Sequence, residues 1–167
     1  RGRTVFVGDI AVTERPDAEE MADIAVALAD KARQMGHTPR VAILSFTNFG
    51  NPESRTSVEV RRAVEILQSR DVGFEFDGEM TGDIALDYDL MKSRYPFCNL
   101  TGPANILVMP GLHSANISFK LVDQLGNVSV IGPIMIGGAY PFQIVQMGAS
   151  VSDIVQTAVL AAHDAIR

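Results

Sequence analysis

Short apolar runs of strand length alternate along this chain with longer stretches of helical periodicity. That alternation restricts the fold more than any other feature. Val41–Leu44 and Asn105–Met109 are continuous apolar segments, and Thr4–Val7 and Val128–Ile131 are rich in β-branched residues. Runs without polar alternation suit strands buried on both faces. Pro16–Met35 reads as a helix, with Met21, Ile24, Ala25, Leu28, Ala29 and Ala32 on one stripe. Pro16 fits its first turn, Asp17, Glu19 and Glu20 complement its dipole, and Gly36 suits its end.

The rest of the chain follows the same grammar. A second helix, capped by Ser54 or Thr56, carries Val58, Val60, Ala63, Val64 and Leu67. Val72–Phe76 alternates as a strand, Asp77-Gly78-Glu79 reads as a turn, and Asp83–Lys92 as a short helical segment. Ser114–Leu125 predicts a helix with Ile117, Leu121, Val122 and Leu125 inward. Phe142–Val145 reads as a last short strand. Ser150–Ile166 is the final helix, with Ser150 as N-cap and Ile154, Val155, Ala158, Val159 and Ala162 facing the core. Strands alternating with helices predict a three-layer α/β/α fold around a mainly parallel, twisted sheet. No repeat, linker or low-complexity tract interrupts residues 1–167, which read as a single domain or the larger part of one.

Composition narrows the function classes. Apolar residues make up 47% and charged residues 20%, too apolar for a disordered chain. With 14 basic and 20 acidic residues the net charge is −6, and the basic spots Arg61–Arg62 and Arg1–Arg3 are short. Nucleic acid is therefore not expected as a partner. No apolar run nears the ~20 residues of a membrane span. The start runs straight into a strand, so no signal peptide is expected. A lone cysteine, Cys98, fits a reducing cytoplasm. The chain has no starting Met, so we expect a piece of something longer.

In an open parallel sheet, ligands sit beyond the carboxyl ends of the strands. Polar or Gly-rich loops follow those ends here: Ser45–Asn51, Asp77-Gly78-Glu79, Pro110–Asn116, and Gly132-Pro133 with Gly137-Gly138. The Ser45–Asn51 loop has the hydroxyls, amides and glycine to hold an anion at a helix start, but lacks the Gly-Lys-Ser/Thr of a Walker loop. An ordinary polar loop accounts for it as well. Asp77, Glu79 and Asp83 read as a turn plus helix cap, with metal or general-base work as the alternative. His37, His113 and His163 are scattered, without zinc spacing; His113 is expected in a rim loop. Cys98 reads as a packed thiol.

The segments Val41–Phe46, Asp77–Glu79, Gly102–Pro110, Ala115–Lys120, Ile131–Ile134 and Gly148–Val155 resemble, in order, the phosphate acetyl/butyryltransferase family. Asp9 and Pro16–Ala25 fit the entry into the same half of that fold. The resemblance implies that the chain is the later part of a phosphotransacetylase-type fold, whose full unit is about twice as long and has a cleft between two subdomains. It also implies departures. Where transacetylases carry a Ser-Arg pair, this chain has Gln146 and Met147, and Gln143-Ile144 replaces an Asn-Asp pair. Met has neither the charge nor the donors of a guanidinium. Of the family's catalytic set only Asp153 is retained, so catalytic residues are expected to be absent.

The loop Thr47-Asn48-Phe49-Gly50 resembles that of one branch, the C-terminal domain of bacterial hybrid NADP-dependent malic enzymes. That branch implies a non-catalytic regulatory and oligomerisation domain that senses acetyl-CoA. Its partners would be copies of itself and the malic enzyme catalytic domain, which oxidatively decarboxylates malate to pyruvate. NADP and a divalent metal would belong to that catalytic domain, and no cofactor to this one. Ser45, Thr47, Asn48, Asn116, Gly132, Gly137 and Gly138 are the expected ligand-facing residues. The alternative is an active acyltransferase moving an acetyl group between CoA and phosphate, with Arg55 or Arg94 as the substitute cation. A pure assembly domain is the third reading.

Overall fold

The computed structural model describes Gly2–Ile166, except the side chain of Thr56, and resolves ten elements. They are β1 (Phe6–Gly8), α1 (Ala18–Gln34), β2 (Arg40–Leu44), α2 (Arg55–Ser69) and β3 (Glu75–Met80), then α3 (Gly82–Leu86), α4 (Tyr88–Arg94), β4 (Ile106–Val108), α5 (Leu112–Leu125) and α6 (Val151–Ala165). The four strands form one parallel sheet in the order β1-β4-β2-β3. Parallel strands need crossovers, and helices supply them.

The central strands β2 and β4 are buried on both sides, their successive side chains pointing to opposite faces. Ala42, Leu44, Leu107 and Met109 face one cluster with Met80, Ile84, Met91, Cys98 and Leu100. The alternate residues Val41, Ile43, Ile106 and Val108 are fully buried as well. On α1, Met21, Ala25, Leu28, Ala29 and Ala32 are buried, and on α2 Val60, Ala63, Val64 and Leu67. The stripe expected on α1 is thus its core face. Asp17 caps α1 in a box with Glu20: each side chain accepts the other's backbone N–H. The capping role proposed for Thr56 falls on a side chain outside those described.

Several expectations are corrected. Asp77-Gly78-Glu79 is not a turn but the centre of β3, and Val72–Phe74 precede that strand. Both carboxylates are buried inside hydrogen bonds, which removes the penalty that argued for a surface turn. The segment after Thr81 is two helices, broken at Asp87, whose side chain caps α4 at Leu90 N–H. His113 lies in the first turn of α5, not in a loop.

Contacts divide the chain into a unit that ends at Phe119 and another that starts at Lys120. In the second, Val128–Ile131 and Phe142–Val145 form no strands. A strand exists only with a hydrogen-bonded neighbour, and none lies beside these segments among the described residues. The faces expected to be inward on α5 and α6 are open: Ile117, Leu121, Val122, Leu125, Ile154, Val155 and Val159 are 49% to 82% exposed. No helix is long and apolar enough to cross a membrane.

Candidate functional site

The carboxyl ends of β2 and β3 meet at one buried carboxylate. Glu79 is fully buried, and its Oε1 accepts from Thr47 Oγ1 at 2.7 Å and from Gly50 N–H at 2.9 Å. The Arg61 guanidinium stands 3.4 Å away. Thr47 gives its proton to Glu79, so at 3.0 Å it accepts from Ser45 Oγ. A relay Ser45→Thr47→Glu79 results. Glu79 Oε2 is enclosed with no hydrogen-bond partner.

The same strand end folds the rest of the loop. Phe49 N–H donates to Glu79 O at 2.9 Å, and Asn48 and Asn51 exchange backbone bonds at 3.0 and 3.1 Å. Asn48 Oδ1 accepts from Thr81 N–H at 2.9 Å and from Thr81 Oγ1 at 3.2 Å. Phe49 sits at φ +49° and Gly50 at φ +90°. Ser45, Thr47 and Asn48 are therefore brought together, with their polar atoms turned inward. Glu79 Oε1 takes the Gly50 N–H that an anion would need, so the loop is an organised scaffold rather than an open anion cradle.

The aromatic side chains at this rim are a signal that sequence reading passed over. Phe49, Tyr95 and Phe97 stand ring to ring, with centroids 5.0, 4.9 and 6.1 Å apart. Phe49 and Tyr95 pack on the core, whereas Phe97 is 64% exposed. Phe46, in the same loop as Phe49, is exposed to the same extent. A Tyr-Pro-Phe tripeptide that ends a short helix was the available clue.

The acidic residues serve separate roles. Asp77 accepts from Gly78 N–H at 2.8 Å and from Asn99 N–H at 2.7 Å. Asp83 accepts from Thr81 Oγ1, which outweighs burial and holds its carboxyl below the ordinary range. At the end of β1, burial raises Asp9, but the backbone N–H groups of Ala11, Thr13 and Val12 together bring it below the usual value. Burial, reinforced by nearby Asp77, pushes the Cys98 thiol up to about 11, so it is a packed thiol and a poor nucleophile. Among the described residues no three His, Cys, Asp or Glu side chains gather as a metal site.

Asn116 is exposed on α5 and donates to Ile10 O at 3.4 Å. The second unit carries Gly132, Gly137 and Gly138. Gly132 and Gly137 have φ of +129° and +80°, and Gln143 clasps both backbone groups of Met135 at 2.8 and 3.0 Å, closing that glycine loop. Gln146 Oε1 lies 3.5 Å from Lys120 Nζ, and Met147 is fully exposed. Asp153 closes a capping box with Ser150, and those hydrogen bonds hold its carboxyl low. Helix capping thus accounts for its local contacts.

An open cleft of about 730 Å³ lies at the opposite, amino ends of the strands, lined by Arg33, His37, Pro39, Leu67, Phe74 and Phe76. Its cations are already engaged. Arg33 binds Asp30 at 3.0 Å and Gly73 O at 2.6 Å, and Arg70 binds Glu19 and Asp23 at 2.6 and 2.7 Å.

A family model described as phosphate acetyl/butaryl transferase matches residues 1–162. The NADP-dependent malic enzyme of Rhizobium meliloti (strain 1021) is 50% identical over 165 residues, covering 99% of this chain and 22% of that protein. The phosphate acetyltransferase of Paracoccus denitrificans is 37% identical over 163 residues, covering 97% of this chain and 51% of that protein. The EutD phosphotransacetylase from Staphylococcus aureus superposes with a TM-score of 0.91 at 30% identity, over 99% of this chain and 52% of that one. The chain therefore spans about half of these acyltransferases and about a fifth of the malic enzyme.

Proposed function

Because the chain belongs to the phosphate acetyl/butaryl transferase family, we propose that it is a non-catalytic regulatory part of an NADP-dependent malic enzyme. In this reading it binds acetyl-CoA at the carboxyl rim and assembles copies of the enzyme in the cytoplasm. NADP, a divalent metal and the oxidative decarboxylation of malate belong to the catalytic part of the longer protein.

The observation that carries the reading is Met147, beside Gln146. An acyl phosphate needs a guanidinium or comparable cation at the end of the cleft, and a thioether offers none. Losing a charge-assisted hydrogen bond costs about 1.5–3 kcal/mol in binding, and more where charge develops in a transition state. The full-span match to a malic enzyme supports the parent activity. The open apolar faces of α5 and α6 support a role in assembly. Regulation requires that acetyl-CoA bind one state of the assembly better than another, since equal affinity shifts nothing.

The test is calorimetric titration of acetyl-CoA into the full-length protein, with acetyl phosphate formation assayed on the same sample. Binding without turnover is the expected result, accompanied by a change in malate oxidation. Turnover overturns the non-catalytic reading in favour of an acyltransferase that moves acetyl groups between CoA and phosphate. No binding leaves assembly alone.

A further inference from the structure

We propose that the purine ring of the CoA ester stacks on Phe97, on a platform completed by Phe49 and Tyr95. The inference rests on the acetyl-CoA reading and names the subsite for its nucleotide end. Phe97 stands steeply against both neighbours, at 75° to Phe49 and 79° to Tyr95. Edge-to-face packing of this kind fixes a ring without covering it. Phe49 and Tyr95 are seated on the core cluster that includes Met80 and Met91, so the support is rigid from below. Phe97 remains 64% exposed. A rigid, wet aromatic face is what proteins offer to an unpaired base, because every base has a π-face to lay against it.

Two further features favour a purine with phosphates over an apolar side chain. The platform adjoins polar and charged residues as well as the exposed Phe46. Phe49 belongs to the loop that carries Ser45 and Asn48, and Arg94 precedes Tyr95 at the end of α4. Arg94 is exposed, and a cation in the same segment as an aromatic face suits a nucleotide, which is flat at one end and anionic at the other. In addition, Phe49 holds φ +49°, a region bulky residues rarely occupy. Its N–H on Glu79 O and the Gly50 N–H on the Glu79 carboxylate keep it there. Such outliers persist where the surroundings over-determine them, and they concentrate at ligand sites.

The test compares the Phe97→Ala and Phe97→Trp variants of the full-length protein with the unaltered one. The probes are acetyl-CoA and S-acetyl-4′-phosphopantetheine, which lacks the adenosine. Phe97→Ala should weaken acetyl-CoA binding roughly ten-fold or more, the size of one base–aromatic stack. It should leave the adenosine-free probe unchanged, and Phe97→Trp should restore acetyl-CoA affinity. Equal affinity of the Ala variant and the unaltered protein for acetyl-CoA overturns the stacking proposal and leaves the acetyl-CoA reading standing. Equal weakening of both probes also overturns it, because the effect then does not come from the purine. If the unaltered protein does not bind acetyl-CoA, both the reading and this inference fall.

Discussion

Glu79 shows how one side chain organises the rim. It is a fully buried carboxylate with two hydrogen-bond donors and one guanidinium on Oε1, and nothing on Oε2. A polar group in such a place is held by those contacts, and removing it strands them in turn. Glu79→Ala leaves the Thr47 hydroxyl and the Gly50 N–H without an acceptor, and should cost about 2–4 kcal/mol. Glu79→Gln keeps an oxygen at the Oε1 position and should cost less. Urea midpoints of the two variants check the order. A Gln variant as weak as the Ala variant would mean that charge against Arg61, not acceptance from the loop, holds the rim. None of this was legible at the residue level. Asp-Gly-Glu looks like a turn because buried carboxylates are rare. What buries Glu79 is a loop some thirty positions earlier in the chain. Cys98 was legible, since a lone thiol among apolar neighbours is most simply a packed one.

At the scale of elements, β2 and β3 depend on a glycine where they pair. Gly78 lies at φ +156°, and a Cβ placed there would sit 2.7 Å from Ile43 O, a backbone atom of the neighbouring strand. β2 is sandwiched in the core and cannot give way cheaply, and β3, the edge strand, is tied to it along the whole pairing. Gly78→Ala should therefore destabilise by roughly 2–4 kcal/mol, combining overpacking with backbone strain. A thermal melt gives the number, and a change below about 0.5 kcal/mol would show that the strands relax freely. The helices and the central strands were readable because their periodicity is local: α1 buries the stripe that its spacing draws. Val128–Ile131 and Phe142–Val145 were misread for the complementary reason. Their apolar, β-branched content is real, but a strand also needs an edge to pair with, and composition does not carry that information. The inward faces assigned to α5 and α6 failed in the same way. Spacing shows which residues share a face, not whether another surface covers it.

The whole molecule divides its stability unevenly, and α6 is where this becomes measurable. The sheet unit holds the fully buried residues Val41, Ile43, Ile106 and Leu67. In contrast, the 15-residue α6 buries none of its residues. A helix of that length without tertiary burial is marginal in water, because nucleation is costly and propagation only slightly favourable. The Ser150–Asp153 capping box is exposed to water and too weak by itself to hold such a helix firmly. In the 167-residue chain alone, backbone amides of β2 and β4 should exchange only by global opening, whereas those of α6 should exchange orders of magnitude faster. In the full-length assembly, α6 should become protected, since covering Ile154, Val155 and Val159 removes large apolar side chains from water. Hydrogen–deuterium exchange followed by peptide mass spectrometry reads both states. Slow exchange of α6 in the isolated chain would mean that this helix is stable uncovered. Fast exchange in both states would mean that its apolar face meets no partner, and the assembly role proposed for it would fall.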